Sequence, residues 1–583
     1  MLNRRLIILF SFLVLNLNAL ASENSLHVGT VGLFPLSIVT SQKLNWTHFS
    51  RNQALSPSLN WTVIKESWSD VDEEHYSQFV EALGASDCQT VDECIKSRAN
   101  PYRDTEISEA IHWKSDCAEF GYFLRGYFAW KNHLPFGYVD AIATSEHEDP
   151  RYNENGNRPR HRTTVIRSSP SSPYFSGPTA ISRMLDAVNS SDFRMGPTVD
   201  AHNSLFPDFY SPALKSHSLR PGTMIYDPDG HVMVISSIEA NGKIHFIDAH
   251  PGSGVTHFEL SIFNFPARMV PAQGGWFKNW RSVHLVGATK LLSGEFVGGK
   301  LRAETNAQIK DHSDEQYRGV PAVATLADWD LARFFISQDI PNASLLQFVK
   351  FRLTNQNVPA NPVAEFKESL EQICAVLQAR VASVEEAIQN KIVLKPHPLT
   401  LPQNIYGAGG DWETYSTSAR DAKIRNAFVI LKDQTKSLLT ANPNIADQLL
   451  HTYLEQAPSC KMTYLNSVRV PVELSLKEVV HRLTRISFDP YLCPELRWGA
   501  KVSFDPVLQV SDEALNCADL KNQDKMNWYR AEEGLRNSAD RDPNADMGWN
   551  LADLTKLMSK AFFPPMLQVD PGLLLEQELH GKK

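Results

Sequence analysis

Asp116 and Cys117 stand where a polar stretch turns into CAEFGYFLRGYFAWK, a run with apolar side chains at helical spacing and aromatics on most faces. Such a run predicts a buried helix over 117 to 131, with Ser115 and Asp116 as N-cap residue types before it. A thiol attacks only as its thiolate, and a helix start favours that form through partial positive charge and outward N–H groups. The same N–H groups suit an oxyanion forming beside the sulfur. A structural cysteine has no need of this position, and a packed core thiol is the plain alternative.

A nucleophilic cysteine needs a base and a group that orients the base. Among nineteen histidines, His231 stands out. It follows the turn chemistry of Asp227-Pro228-Asp229-Gly230 and opens VMVISSI, a strand pattern. After the Asn241-Gly242 hairpin signal comes Ile244-His245-Phe246-Ile247-Asp248-Ala249-His250. Folding back across a hairpin centred near 241 sets His231 beside residues 248 to 251 of the next strand. Asp248 or His250 then orients the imidazole so that its other nitrogen faces Cys117. These two share a sheet face as an i, i+2 pair, and spacing does not choose between them. A surface histidine in a turn is the plain alternative for His231.

Together these residues resemble the papain-like amidase group, most closely its CHAP and NlpC-type cell-wall hydrolases. Asp116-Cys117 is similar to the start of that group's nucleophile helix. Arg220-Pro221-Gly222-Thr223-Met224-Ile225-Tyr226 looks like its strand before the histidine, and Gly230-His231-Val232-Met233-Val234-Ile235 like its base-bearing strand. Asp248 and His250 lie where CHAP domains carry an acid followed two residues later by an amide. The resemblance spans roughly residues 110 to 255. It implies Cys117 as nucleophile, His231 as general base and acid, and Asp248 as orienting residue with His250 as its alternative. Two departures stand out: the Cys117-to-His231 interval is long, which requires an insertion, and His250 replaces the usual amide. CAEFGYFLRGYFAWKNHLPFGYV is also similar to the transglutaminase-like core, whose His–Asp pair would suit His231 and Asp248. The triad survives either choice and only the substrate changes.

The elements that must carry these residues follow from the rest of the chain. With 42% hydrophobic and 21% charged residues and net charge −9, it is an ordinary globular composition, not a disordered one. The acidic balance excludes nucleic acid as the main partner. MLNRR followed by LIILFSFLVLNLNALA reads as a signal peptide over residues 1 to 21, with Arg4 and Arg5 before the apolar run and Ala19-Leu20-Ala21 at the cleavage site. Asn16 and Asn18 cut the run below the roughly 20 apolar residues of a membrane anchor. No later stretch is apolar enough to span a bilayer, so the expected location is periplasmic or secreted. Seven cysteines in an oxidising compartment leave one over. Cys88 and Cys94 are natural partners. Cys374, Cys460, Cys493 and Cys517 allow three pairings, and Cys117 is the odd one out.

The expected fold class is α+β: a papain-like helix-plus-antiparallel-sheet catalytic domain over 22 to 295, then a mainly α-helical region over 296 to 583. Within the first, the polar Arg/Pro/Ser-rich stretch beginning near 146 reads as an inserted loop reaching to about 215. In the second, helical patterns appear at 327–338, 343–353, 363–390, 418–441, 445–456, 475–485 and 525–537. No GxGxxG, Walker loop, HExxH or paired Cys-x-x-Cys occurs, so neither cofactor nor metal is expected. The expected function is an exported thiol hydrolase acting on amide bonds. The resemblance implies peptidoglycan peptides as its substrates, with the helical half free to dock a protein partner. A protein peptidase or transglutaminase-like acyltransferase on the same triad is the first alternative. A binding or scaffold protein with a degenerate papain-like domain is the second.

Overall fold

The computed structural model describes residues 59–500 and 571–580, except 104–110, 145–149, 152, 229–230, 251–252, 262–263, 265–269, 339, 355–360, 396–417 and 488–491. The fold is α+β. Its centre is a six-stranded sheet in the order Phe209–Tyr210, Trp276–Trp280, Met224–Asp227, His231–Ile238, Ile244–Ala249, Val255–Glu259. Every neighbouring pair is antiparallel.

The apolar run Val232-Met233-Val234-Ile235 is buried throughout, because both faces of the sheet are covered. Alternation sorts these side chains. Val232 and Val234 join the cluster that includes Phe120, Phe123 and Leu124 of the Cys117–Lys131 helix. Met233 and Ile235 join a second cluster with Phe348, Phe366 and Leu370 from the helices beyond residue 340. The Cys117–Lys131 helix is buried nearly all round, as its sequence predicts. The Asp70–Gly84 helix lies in the same layer.

The Asn241-Gly242 turn closes the hairpin as expected. Gly242 has φ +83, and a Cβ there would stand 2.1 Å from the Lys350 carbonyl oxygen. Only glycine meets both demands. The hairpin tip thereby rests on the Leu345–Leu353 helix.

The segment expected as an inserted loop is instead structured over most of its described length. Arg158–Thr164 pairs with Gly137–Ala143, Gly177–Leu185 is a helix, and Ile181, Met184, Phe193 and Phe206 enter the core around the Cys117 helix. Two of its arginines are held in buried ion pairs, while Arg151, Arg158 and Arg160 are exposed. Arg162 pairs with buried Asp208, and Arg167 with Glu295 at 2.7 Å, both side chains 6% exposed. RPRHRTT reads as loop because its local polarity hides the pairing with Gly137–Ala143.

Beyond residue 296 the helices Leu345–Leu353, Pro362–Gln389, Ser418–Ala441 and Ala446–Ser459 occupy the expected places. The expected helix at 327–338 is a short 3-10 stretch, Leu326–Leu331, because Phe334 is drawn into bridges with Val320 and Ala343. The one at 475–485 shortens to Leu476–Val480, and 525–537 lies outside the described residues. An unanticipated hairpin joins Lys461–Leu465 to Pro471–Ser475. Across residue 295/296 strands pair without a break, Thr289–Lys290 with Phe296–Val297 and Val283–Val286 with Lys300–Ala303.

Disulfides join Cys88 to Cys94 and Cys374 to Cys460. Cys493 is also disulfide-bonded, Cys517 lies outside the described residues, and Cys117 is in no disulfide. The expected signal peptide at 1–21 also lies outside them. Among the described residues no helix is long and apolar enough to cross a membrane.

Candidate active site

Cys117 is the first residue of its helix because a capping box fixes the start there. The Asp116 carboxylate accepts from the Glu119 backbone N–H at 2.9 Å, and the Glu119 carboxylate accepts from the Asp116 N–H at 3.0 Å. A cap of this kind stabilises a helix by about 1 kcal/mol. Burial, with the charges of Asp116 and Asp186 adding to it, pushes the Glu119 carboxyl up to about 7 against the backbone hydrogen bond. Cys117 itself is half-buried, its side chain against the aromatic cluster of its own helix.

His231 opens its strand opposite Asp227. On the other side Val234 faces Ile247. Continued towards the open end of the hairpin, that register sets His231 opposite His250 and diagonal to Asp248. The diagonal makes the bond: His231 Nε2 lies 2.7 Å from Asp248 Oδ2. Asp248 is buried, and its second oxygen accepts from the Thr256 hydroxyl, Thr256 being its direct cross-strand partner. His250 takes a different place. Its ring lies nearly parallel to His231 with centroids 6.1 Å apart, and its Nε2 is 3.1 Å from Thr256 Oγ1 and 3.7 Å from Asp248 Oδ1. Of the two candidate orienters, Asp248 therefore holds His231, and His250 stands behind it.

Electrostatics follow from this arrangement. Burial works to lower the His231 ring, but hydrogen bonds to Asp248 and to Cys117 outweigh it and hold the ring at about 10. Burial works to raise Asp248, and its bond to His231 overrides that and keeps the carboxyl below its usual range. The ring thus keeps its proton through neutral pH. With Nε2 given to Asp248, Nδ1 is the nitrogen left for the sulfur. A sulfur at a helix start, electrostatically coupled to an imidazole braced by a buried carboxylate, is equipped for nucleophilic attack on a carbonyl and proton delivery to a leaving group.

Three residues close to the site escaped the sequence reading: Glu119, Thr256 and Ser253. The x-x-Glu spacing after Asp116 marks a capping box, and VTHFE reads as a third strand beside Asp248, so two of the three had a local signal. Ser253 had none. Among the described residues no group of His, Cys, Asp and Glu is placed to hold a metal ion. Compared with known proteins, the chain matches no family model, no curated protein and no solved structure.

Proposed function

We propose that this chain is an exported thiol hydrolase that cleaves amide bonds by acyl transfer, with a papain-like disposition of helix and sheet. One observation carries the reading. The 2.7 Å bond from His231 Nε2 to Asp248 Oδ2 is made by a ring that also interacts electrostatically with Cys117, the first residue of a buried helix. Support for the papain-like disposition is the packing of that helix on an antiparallel sheet whose adjacent strands carry the histidine and the aspartate.

The steps follow from the groups. Cys117 attacks the carbonyl carbon as thiolate, the C–S bond forms, and N–H groups of the first helical turn face the oxyanion. His231 gives its Nδ1 proton to the leaving amine as the C–N bond breaks, leaving a thioester. The neutral imidazole then takes a proton from water, hydroxide attacks the thioester, the C–S bond breaks and the acid departs. Asp248 holds the ring's tautomer and stabilises its charge. Peptidoglycan stem peptides or cross-bridges are the proposed substrates, a step that rests on the CHAP and NlpC-type resemblance alone. The leader sequence and the disulfides support an extracytoplasmic location.

The test is to incubate the full chain with soluble peptidoglycan peptides and follow the products by mass spectrometry, with and without an added primary amine. The expected result is a new acid and a new amine, lost by about a thousandfold or more in Cys117→Ala. Products carrying the added amine in preference to water would move the reading to a transglutaminase-like transferase. Turnover unchanged in Cys117→Ala would end it.

A further inference from the structure

We infer that Ser253 is a positioning residue for this site, tying the turn after Asp248 to the backbone that leads into Cys117; the inference rests on the Cys–His–Asp reading above. The strand Ile244–Ala249 ends in a tight turn, with His250 N–H donating to the Gly254 carbonyl at 2.9 Å and Ser253 N–H to the His250 carbonyl at 2.7 Å. Within it Ser253 has φ +65, a left-handed conformation that glycine takes freely and serine does not.

What serine adds over glycine is its hydroxyl, and the hydroxyl is engaged. Ser253 Oγ accepts the Ser115 backbone N–H at 3.2 Å. Ser115 is buried, so that donor depends on a protein acceptor, and it lies two residues before the nucleophile. The Ser253 carbonyl meanwhile accepts from Val91 N–H at 3.0 Å, and Val255 N–H donates to the Gln89 carbonyl at 2.8 Å. Gln89 and Val91 belong to the loop closed by the Cys88–Cys94 disulfide. The same loop reaches the other side, where Asp92 Oδ1 accepts from Trp113 N–H at 2.9 Å.

Three segments therefore meet at one residue: the turn that follows the Asp248 strand and carries His250, the disulfide loop, and the lead-in to the Cys117 helix. Through the Ser253 hydroxyl, the spacing between the sulfur and the Asp248-held imidazole is set by backbone rather than by the two side chains alone. A displacement of about an ångström between reacting groups is enough to cost an order of magnitude or more in rate.

The experiment measures the rate of Cys117 alkylation by iodoacetamide at pH 7, located by peptide mapping, on the full chain with its disulfides intact. The variants are Ser253→Gly, Ser253→Ala, Ser253→Asn and His231→Ala, each with its thermal midpoint. Ser253→Gly accepts the backbone geometry but lacks the hydroxyl, and its rate is expected to fall about tenfold. Ser253→Asn tolerates the same φ and offers an amide oxygen to Ser115, so it restores the wild-type rate. Wild-type rates in both Ser253→Gly and Ser253→Ala overturn the inference. So does a fall in all three Ser253 variants that tracks their midpoints, which would assign Ser253 to stability alone. His231→Ala separates the two levels: a wild-type rate there removes the Cys–His reading itself, whereas a slow His231→Ala beside a fast Ser253→Gly removes only the role of Ser253.

Discussion

A protonated imidazole beside a sulfur serves catalysis only over the range in which the ring keeps its proton. For His231 the upper end of that range is about 10, raised from 6.5 by Asp248 and Cys117 against the pull of burial. The sign for stability follows. The folded chain binds the proton more tightly than the unfolded chain, so this contribution is complete below 6.5 and is lost as pH rises towards 10. A ring titration by nitrogen-edited NMR checks it: wild type is expected to titrate near 10, and Asp248→Asn to fall back towards the ordinary histidine value of about 6.5. Turnover separates the two histidines. His231→Ala is expected to lose about a thousandfold or more in kcat, and His250→Ala about tenfold or less, since Asp248 makes the bond to the ring while His250 packs alongside it. That distinction was not legible in the sequence. Asp248 and His250 share a face, and only the diagonal reach of a short carboxylate to Nε2 picks one of them.

Elements set where these residues stand, and the ones with local grammar were readable. The Cys117 helix announces itself by its aromatic faces and by the N-cap types Ser115 and Asp116. The two central strands do so by their apolar runs and the Asn241-Gly242 turn. The Arg158–Thr164 strand was not readable, because what makes it a strand is its pairing with Gly137–Ala143 and the burial of Arg162 against Asp208. Local polarity alone says loop. Gly242 offers a test of how far the elements are independent of the chemistry. Gly242→Val demands a Cβ against the Lys350 carbonyl at φ +83, and urea unfolding is expected to show a loss of about 1–3 kcal/mol. Cys117 alkylation in the folded variant is expected to be unchanged, since the turn lies at the far end of the hairpin from His231.

At the scale of the whole described structure, the sheet is the shared wall of two cores. Composition shifts mark a helical second half, yet they do not reveal that its helices cover Met233, Ile235 and Phe246 of the sheet that carries the site. A chain ended after residue 303 would leave that face in water, and apolar exposure on this scale drives aggregation. Such a fragment is expected to lack a cooperative melting transition by circular dichroism, whereas the full chain shows one. The central claim concerns the three groups acting as one unit, and alkylation tests it most directly. The oxidised full chain and its His231→Ala variant are treated with iodoacetamide from pH 5 to 8, and the modified residue is mapped by mass spectrometry. The account predicts labelling at Cys117 in the wild type, with a rate at pH 6 to 7 that collapses without His231. Equal rates in the two proteins, or a Cys117 inert until the chain is denatured, would contradict it.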